Sequence, residues 1–138
     1  MLDYFGNQLD PANYAFKSGR YFLDQTLTAL QTLTNIPMTL KGQEQYFAVM
    51  RLMATSTSTF RAAFYTSSSE RYTYGTLNGT TDRVRGECLY GTAQRPGVLE
   101  VPIVIPGSSS LMHDLEDLSN ASNALHLVYS GARMYPRN

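Results

Sequence analysis

Between Leu89 and Tyr135 the chain alternates short apolar runs with turn residues. Val98 to Ile105 is followed by Pro106-Gly107, serines at 108 to 110, acids at Asp114, Glu116 and Asp117, and a second apolar run from Ala124. Runs this short, bounded by Gly, Pro and Ser, read as strands of an all-β domain. In the last run Leu125, Leu127 and Tyr129 alternate with His126, Val128 and Ser130, the period of a half-buried strand. Gly131 interrupts it and marks a bulge.

The same grammar extends upstream. An extended segment from about Leu27 carries Pro37, which belongs on an edge. Lys41-Gly42-Gln43 is a turn, and Tyr46 to Ala54, apolar on both faces, is a central strand. Thr59 to Thr66 puts Phe60, Ala62 and Phe64 on one face and Arg61 and Tyr65 on the other, a half-exposed strand. Asn78-Gly79 suits a type I′ hairpin between Arg71 to Leu77 and Thr80 to Arg85. Cys88 to Tyr90 reads as a short strand, and Pro102 places its run on an edge or at a bulge. Leu111 to Leu118 fits two readings: a short helix, from the spacing of Leu111, Leu115 and Leu118, or a bulged strand with its acids in solvent. About eight strands make a two-sheet antiparallel sandwich of the jelly-roll kind.

Residues 1–22 read differently. Tyr4, Phe5, Tyr14, Phe16, Tyr21 and Phe22 follow neither a strand nor a helix period. The expectation is an extended N-terminal arm over 1–22 followed by one sandwich domain over 23–138. The arm either wraps its own domain or fills pockets on a neighbouring subunit, where aromatic rings supply large contact area at little entropic cost.

Composition narrows the function classes. The 138 residues suffice for one core, and the 11 basic and 11 acidic residues cancel without a run of either sign. No electrostatic footprint for nucleic acid or an anionic membrane is visible, so proteins are the expected partners. Nine of the 11 basic residues are Arg, which suits planar interface contacts. Cys88 is the single cysteine, which excludes an internal disulfide, and no apolar stretch reaches membrane-spanning length. The expectation is a protein made in a reducing cytosol, in which the sequons at Asn78 and Asn120 carry no sugar.

Chemistry is sparse. His113 reads as a polar loop or strand surface and His126 as the outer face of the last strand; their acidic neighbours match no standard metal site. Those acids are a solvated face, or an acidic patch for a partner's arginines. Cys88 and the serines lack a nucleophile elbow or a cysteine-enzyme signature. The glycines between 75 and 91 have no lysine after them, so a phosphate cradle is not expected. Tyr72 and Tyr74 beside Arg71 suggest a packed hairpin face more than a single-strand platform. No catalytic residue, metal or cofactor is expected, and the chain reads as a non-enzyme.

Four stretches carry a family likeness. They are Leu89-Tyr90-Gly91-Thr92-Ala93-Gln94-Arg95-Pro96, Pro102 to Ser109, Asp114 to Ser119 and Asn123 to Tyr129. In their pattern the chain resembles head cement, or capsid decoration, proteins of short-tailed phages, over roughly Gln31 to Tyr135 and most strongly after Gly86. The resemblance implies a jelly roll on the outer surface of an icosahedral virion, bridging neighbouring major capsid proteins and self-associating as a dimer or trimer. The aromatic N-terminal segment departs from the most compact members of that family, and its Tyr4, Phe5, Tyr14, Phe16 and Tyr21 are the expected contacts to a neighbouring subunit, with Arg20, Arg61 and Arg133 as candidate salt-bridge partners of the coat. Deleting residues 1–22 should then leave the sandwich folded and abolish binding to empty heads. The competing expectations are a neck, tail or fibre component, and a carbohydrate-binding module using exposed Tyr65, Tyr72 and Tyr74.

Overall fold

A computed structural model of the chain describes residues 14–66, 72–73, 83–92 and 94–136. Among the described residues there are eight strands: β1 (Tyr14–Leu27), β2 (Thr32–Thr39), β3 (Tyr46–Ser56), β4 (Phe60–Thr66), β5 (Val84–Arg85), β6 (Gly97–Pro106), β7 (Ser110–Asp117) and β8 (Asn123–Pro136). One helical turn, α1 (Gly86–Leu89), lies between β5 and β6. The strands form two antiparallel four-stranded sheets, β1-β8-β3-β6 and β2-β7-β4-β5. Every connection except that from β4 to β5 crosses between the sheets, so the first strand pairs with the last and the second with the seventh. That interleaving is a jelly roll.

Alternation fills the space between the sheets. Leu125, Leu127 and Tyr129 of β8 and Phe47, Val49 and Leu52 of β3 meet Leu111 and Leu115 of β7 and Phe60, Ala62 and Phe64 of β4, all buried. The phase of β3 changes midway. Val49 faces Gly131 and Arg51 faces Ser130, which leaves Met50 as the extra residue of a bulge. The bulge lets Phe47 and Val49 before it and Leu52 after it all point inward. A Cβ on Gly131 would lie 1.8 Å from the Ala48 carbonyl oxygen, so the approach of β3 requires glycine there. The sequence placed the irregularity at the right residue, but the added residue sits in the neighbouring strand.

One end of the sandwich is clasped by polar side chains. Asn123 is fully buried; its Oδ1 accepts from the Ser58 N–H, and its Nδ2 donates to the carbonyls of Ser58 and Thr59 and to Asp117 Oδ1. Asp117 also accepts from the Leu30 N–H and the Ser119 hydroxyl. Burial works against ionisation of Asp117, but these donors outweigh it and hold the carboxyl down at about 2. Three loops are thus tied to one pair of side chains. Asn123→Ala is expected to cost about 2 kcal/mol, because it removes three hydrogen bonds to part-buried backbone groups of the β3–β4 turn and one to Asp117. Urea denaturation checks this, and an unchanged midpoint would mean that water replaces the amide.

Several expectations change. Residues 14–22 are not arm: they are the first nine positions of β1, paired with β8 from Tyr14↔Pro136 onward. Aromatics fall on both faces of this strand, which hid its period. Tyr4 and Phe5 lie outside the described residues, as do the Asn78-Gly79 turn and Tyr74. Cys88 is exposed on α1 and not in a strand. The β4 strand is buried on both faces, with Ala63 at 0% and Tyr65 at 8% exposure. Leu111 to Asp117 is a regularly alternating strand, and Asp117 is buried, not solvated. Pro37 does lie on the edge strand β2, and Pro102 lies in an edge strand at a bulge, since residues 99–102 of β6 sit opposite Met50 alone.

Candidate binding face

The outward side of the first sheet carries the candidate site. On β1 the even-numbered residues Phe16, Ser18, Arg20, Phe22 and Asp24 point away from the core, and each is exposed. They stand beside Val128 and Ser130 of β8, which in turn flank Arg51 and Met53 of β3. Val98 of β6 faces Arg51 and so continues the same surface. Phe22 is 60% exposed, Val98 69% and Val101, in the bulged part of β6, 67%. These exposed apolar side chains make this face the candidate interaction surface.

Two shallow depressions give this face relief. One of about 450 Å³ lies among Arg20, Phe22, Met53, Thr55, His126 and Val128. The other, of about 400 Å³, lies among Phe16, Ser18, Arg20, Met50, Arg51 and Ser130. Arg20 forms the wall between them. Neither Arg20 nor Arg51 makes an ion pair among the described residues, so both guanidinium groups are available to a partner. The Phe22 ring stacks at 5.3 Å against His126, whose Nδ1 contacts Asp24 Oδ1. An apolar floor with unpaired arginines can bury rings and bind carboxylates at once. At the β1 start, Tyr14 packs edge-on against Tyr46 over a second small cluster of Ala48, Val104 and Met134.

The predicted contact residues do not gather in one place. Phe16 and Arg20 lie on this face, with Tyr14 at its end. Tyr21 points inward onto Phe47, at 5.0 Å between rings, and donates its hydroxyl proton to buried Glu44. Arg133 lies along Gly19 and donates to the Ser18 carbonyl at 3.1 Å. Arg61 is on the other sheet, 3.5 Å from Glu116, which Arg83 also approaches. The acid at Glu116 is therefore engaged within the chain and is not an open patch for a partner's arginines. Phe22, Arg51, Met53 and Val98 complete the face and were missed as contacts. Strand alternation through Phe16, Arg20 and Phe22 was the signal that could have found them.

The remaining chemistry is internal. His113, read as a surface residue, is fully buried, and its Nδ1 lies 3.1 Å from the Ile36 carbonyl. A carbonyl only accepts, so Nδ1 carries the proton and Nε2 accepts from the Tyr129 hydroxyl at 2.6 Å. Tyr129 in turn accepts from Tyr90, also at 2.6 Å. Among the described residues, no group of three or more His, Cys, Asp or Glu side chains could hold a metal ion. Tyr65, expected as an exposed sugar platform, is buried and donates toward Asn35 and Asp114. Tyr72 is half-buried against Phe64, with ring centroids 5.8 Å apart.

Compared with known protein families, with characterised proteins and with solved structures, the chain matches none.

Proposed function

We propose that this protein is a non-enzymatic structural component that binds the outer surface of an icosahedral phage capsid and cements neighbouring major capsid proteins. The observation that carries the proposal is the outward face of the first sheet, where Phe16, Phe22 and Val98 are exposed beside Arg20 and Arg51, which make no ion pair among the described residues. The jelly-roll order of the strands and the likeness to head cement proteins support it. A subunit that buries such a face only on assembled coat subunits shifts the assembly equilibrium toward the shell. No turnover and no cofactor is involved.

The first test is abundance and position in purified particles, by gel densitometry with electron microscopy. Hundreds of copies over the head agree with cement; a dozen at one vertex would move the protein to the neck or tail, and absence from particles would end the proposal. The second test is a variant. Because deletion through Phe22 removes nine residues of β1, it would unfold the sheet and report nothing about binding. The double substitution Arg51→Ala and Val98→Ala changes exposed positions only, on the strands of the face that lie away from β1. It should weaken binding to empty heads by about tenfold or more while leaving thermal stability unchanged. Equal binding by both proteins would place the coat contact elsewhere.

A further inference from the structure

The four sheet edges are not alike. Edge strand β6 carries Pro102, Pro106 and a bulge. Edge strand β2 carries Pro37 and a bulge at Asn35, whose φ is 58°. Edge strand β5 has two residues. These are the devices that keep an edge from pairing with another chain. In contrast β1 runs for 14 residues without proline, in unbroken register with β8. Among the described residues, no backbone group pairs with its other side.

The outward row of β1 reads Ser18, Arg20, Phe22, Asp24, Thr26, and it is complementary to its own reverse. Turned about Phe22, Arg20 falls opposite Asp24, Asp24 opposite Arg20, and Ser18 opposite Thr26. We infer that the free edge of β1 pairs antiparallel with the same edge of a second copy, with the two-fold axis through Phe22, to form a continuous eight-stranded sheet.

Register argues for this arrangement over its neighbours. A shift by one residue about the strand would put inward side chains against outward ones. An axis through Arg20 or Asp24 would set like charges opposite each other, which is destabilising. Axes through Tyr21 or Leu23 would place Phe22 against Arg20 or Asp24 and leave no Arg opposite an Asp. Only the axis at Phe22 pairs ring with ring and both arginines with both aspartates. On the inward side it sets half-buried Tyr21 against half-buried Leu23. Arg20 has no ion pair among the described residues, and the contact with His126 uses only one oxygen of Asp24. A groove of about 420 Å³ between β1 and β2, lined by Arg20, Phe22, Pro37 and Met38, opens at this level of the edge. The pairing stands independently of capsid binding.

The full chain should show concentration-dependent dimerisation by sedimentation velocity. Arg20→Asp makes this row wholly acidic, and Asp24→Arg makes it wholly basic. Each alone should weaken its own dimer by about tenfold, and the two mixed should form the heterodimer preferentially in native mass spectrometry. Facing Cα atoms in an antiparallel pair lie about 4.5–5.5 Å apart, within disulfide range. Phe22→Cys in a Cys88→Ser background should therefore cross-link on oxidation, and Thr26→Cys in the same background should not. A monomer at every concentration up to about 0.5 mM overturns the inference, as does a dimer indifferent to both charge changes. Cross-linking through Thr26→Cys but not Phe22→Cys overturns the register.

Discussion

Tyr129→Ala is expected to remove about 4–5 kcal/mol of stability, a large share of the roughly 5–15 kcal/mol that holds an ordinary domain together. Tyr129 has no exposed surface and stands at the centre of an aromatic group, with Phe64 at 5.8 Å and Tyr90 at 6.0 Å, both edge-on, and His113 at 5.5 Å. Truncation leaves a cavity between the two sheets that the surrounding strands cannot close. It also removes the donor to His113 Nε2 and the acceptor for the Tyr90 hydroxyl. Tyr129→Phe separates the two contributions, keeping the ring and losing only the hydroxyl, at about 1–2 kcal/mol. Guanidinium unfolding of the three proteins gives both differences. A cost for Tyr129→Ala no larger than that for Tyr129→Phe would show that the ring contributes nothing beyond its hydroxyl.

This hub also shows what the sequence could and could not tell. The alternation of Leu125, Leu127 and Tyr129 is visible because each inward position is apolar, while His126 and Ser130 among the outward ones are polar. The facing strand β7 uses the same alternation, but its inward positions are Leu111, His113, Leu115 and Asp117. Two of the four are polar side chains whose partners come from other elements, Ile36 and Tyr129 for His113, Leu30 and Asn123 for Asp117. Hydrophobic pattern alone therefore sees Leu111, Leu115 and Leu118 and finds helical spacing. A buried polar group becomes legible only when its long-range partner is known.

The candidate face was hidden for a related reason. Adjacent Tyr21 and Phe22 point to opposite sides of β1, so their aromatic character masks a strand period that the rest of β1 obeys. Phe22 is exposed and Tyr21 is held by Phe47 and Glu44. The strand order was out of reach altogether, because pairing β1 with β8 joins segments about a chain length apart. Once that pairing exists, the outward residues of β1 become one wall of a broad face, and the remaining wall comes from β3 and β6.

Acid should weaken the fold in two successive windows. Burial pushes the His113 imidazole down from its ordinary 6.5 to about 4; the carbonyls of Ile36 and Leu111 and the charge of Asp114 oppose that shift without cancelling it. The native state thus holds a neutral ring where the unfolded chain takes up a proton. For a depressed value the stability is fully present above the unfolded pKa and is lost as pH falls through the interval toward the folded one. The loss runs from pH 6.5 to about 4 and amounts to about 3 kcal/mol. Asp117, held at about 2 against an ordinary 3.8, keeps its contribution above 3.8 and loses it between there and 2, so its window begins where that of His113 ends. Denaturation midpoints taken at intervals from pH 7.5 to 3 should fall in this order. In His113→Leu the upper step disappears: the variant is less stable at neutral pH, because Tyr129 loses its acceptor, yet its midpoint stays level down to pH 4. A wild-type midpoint that is flat across the upper window, or an upper step that survives in His113→Leu, would show that the imidazole is not buried in its neutral form.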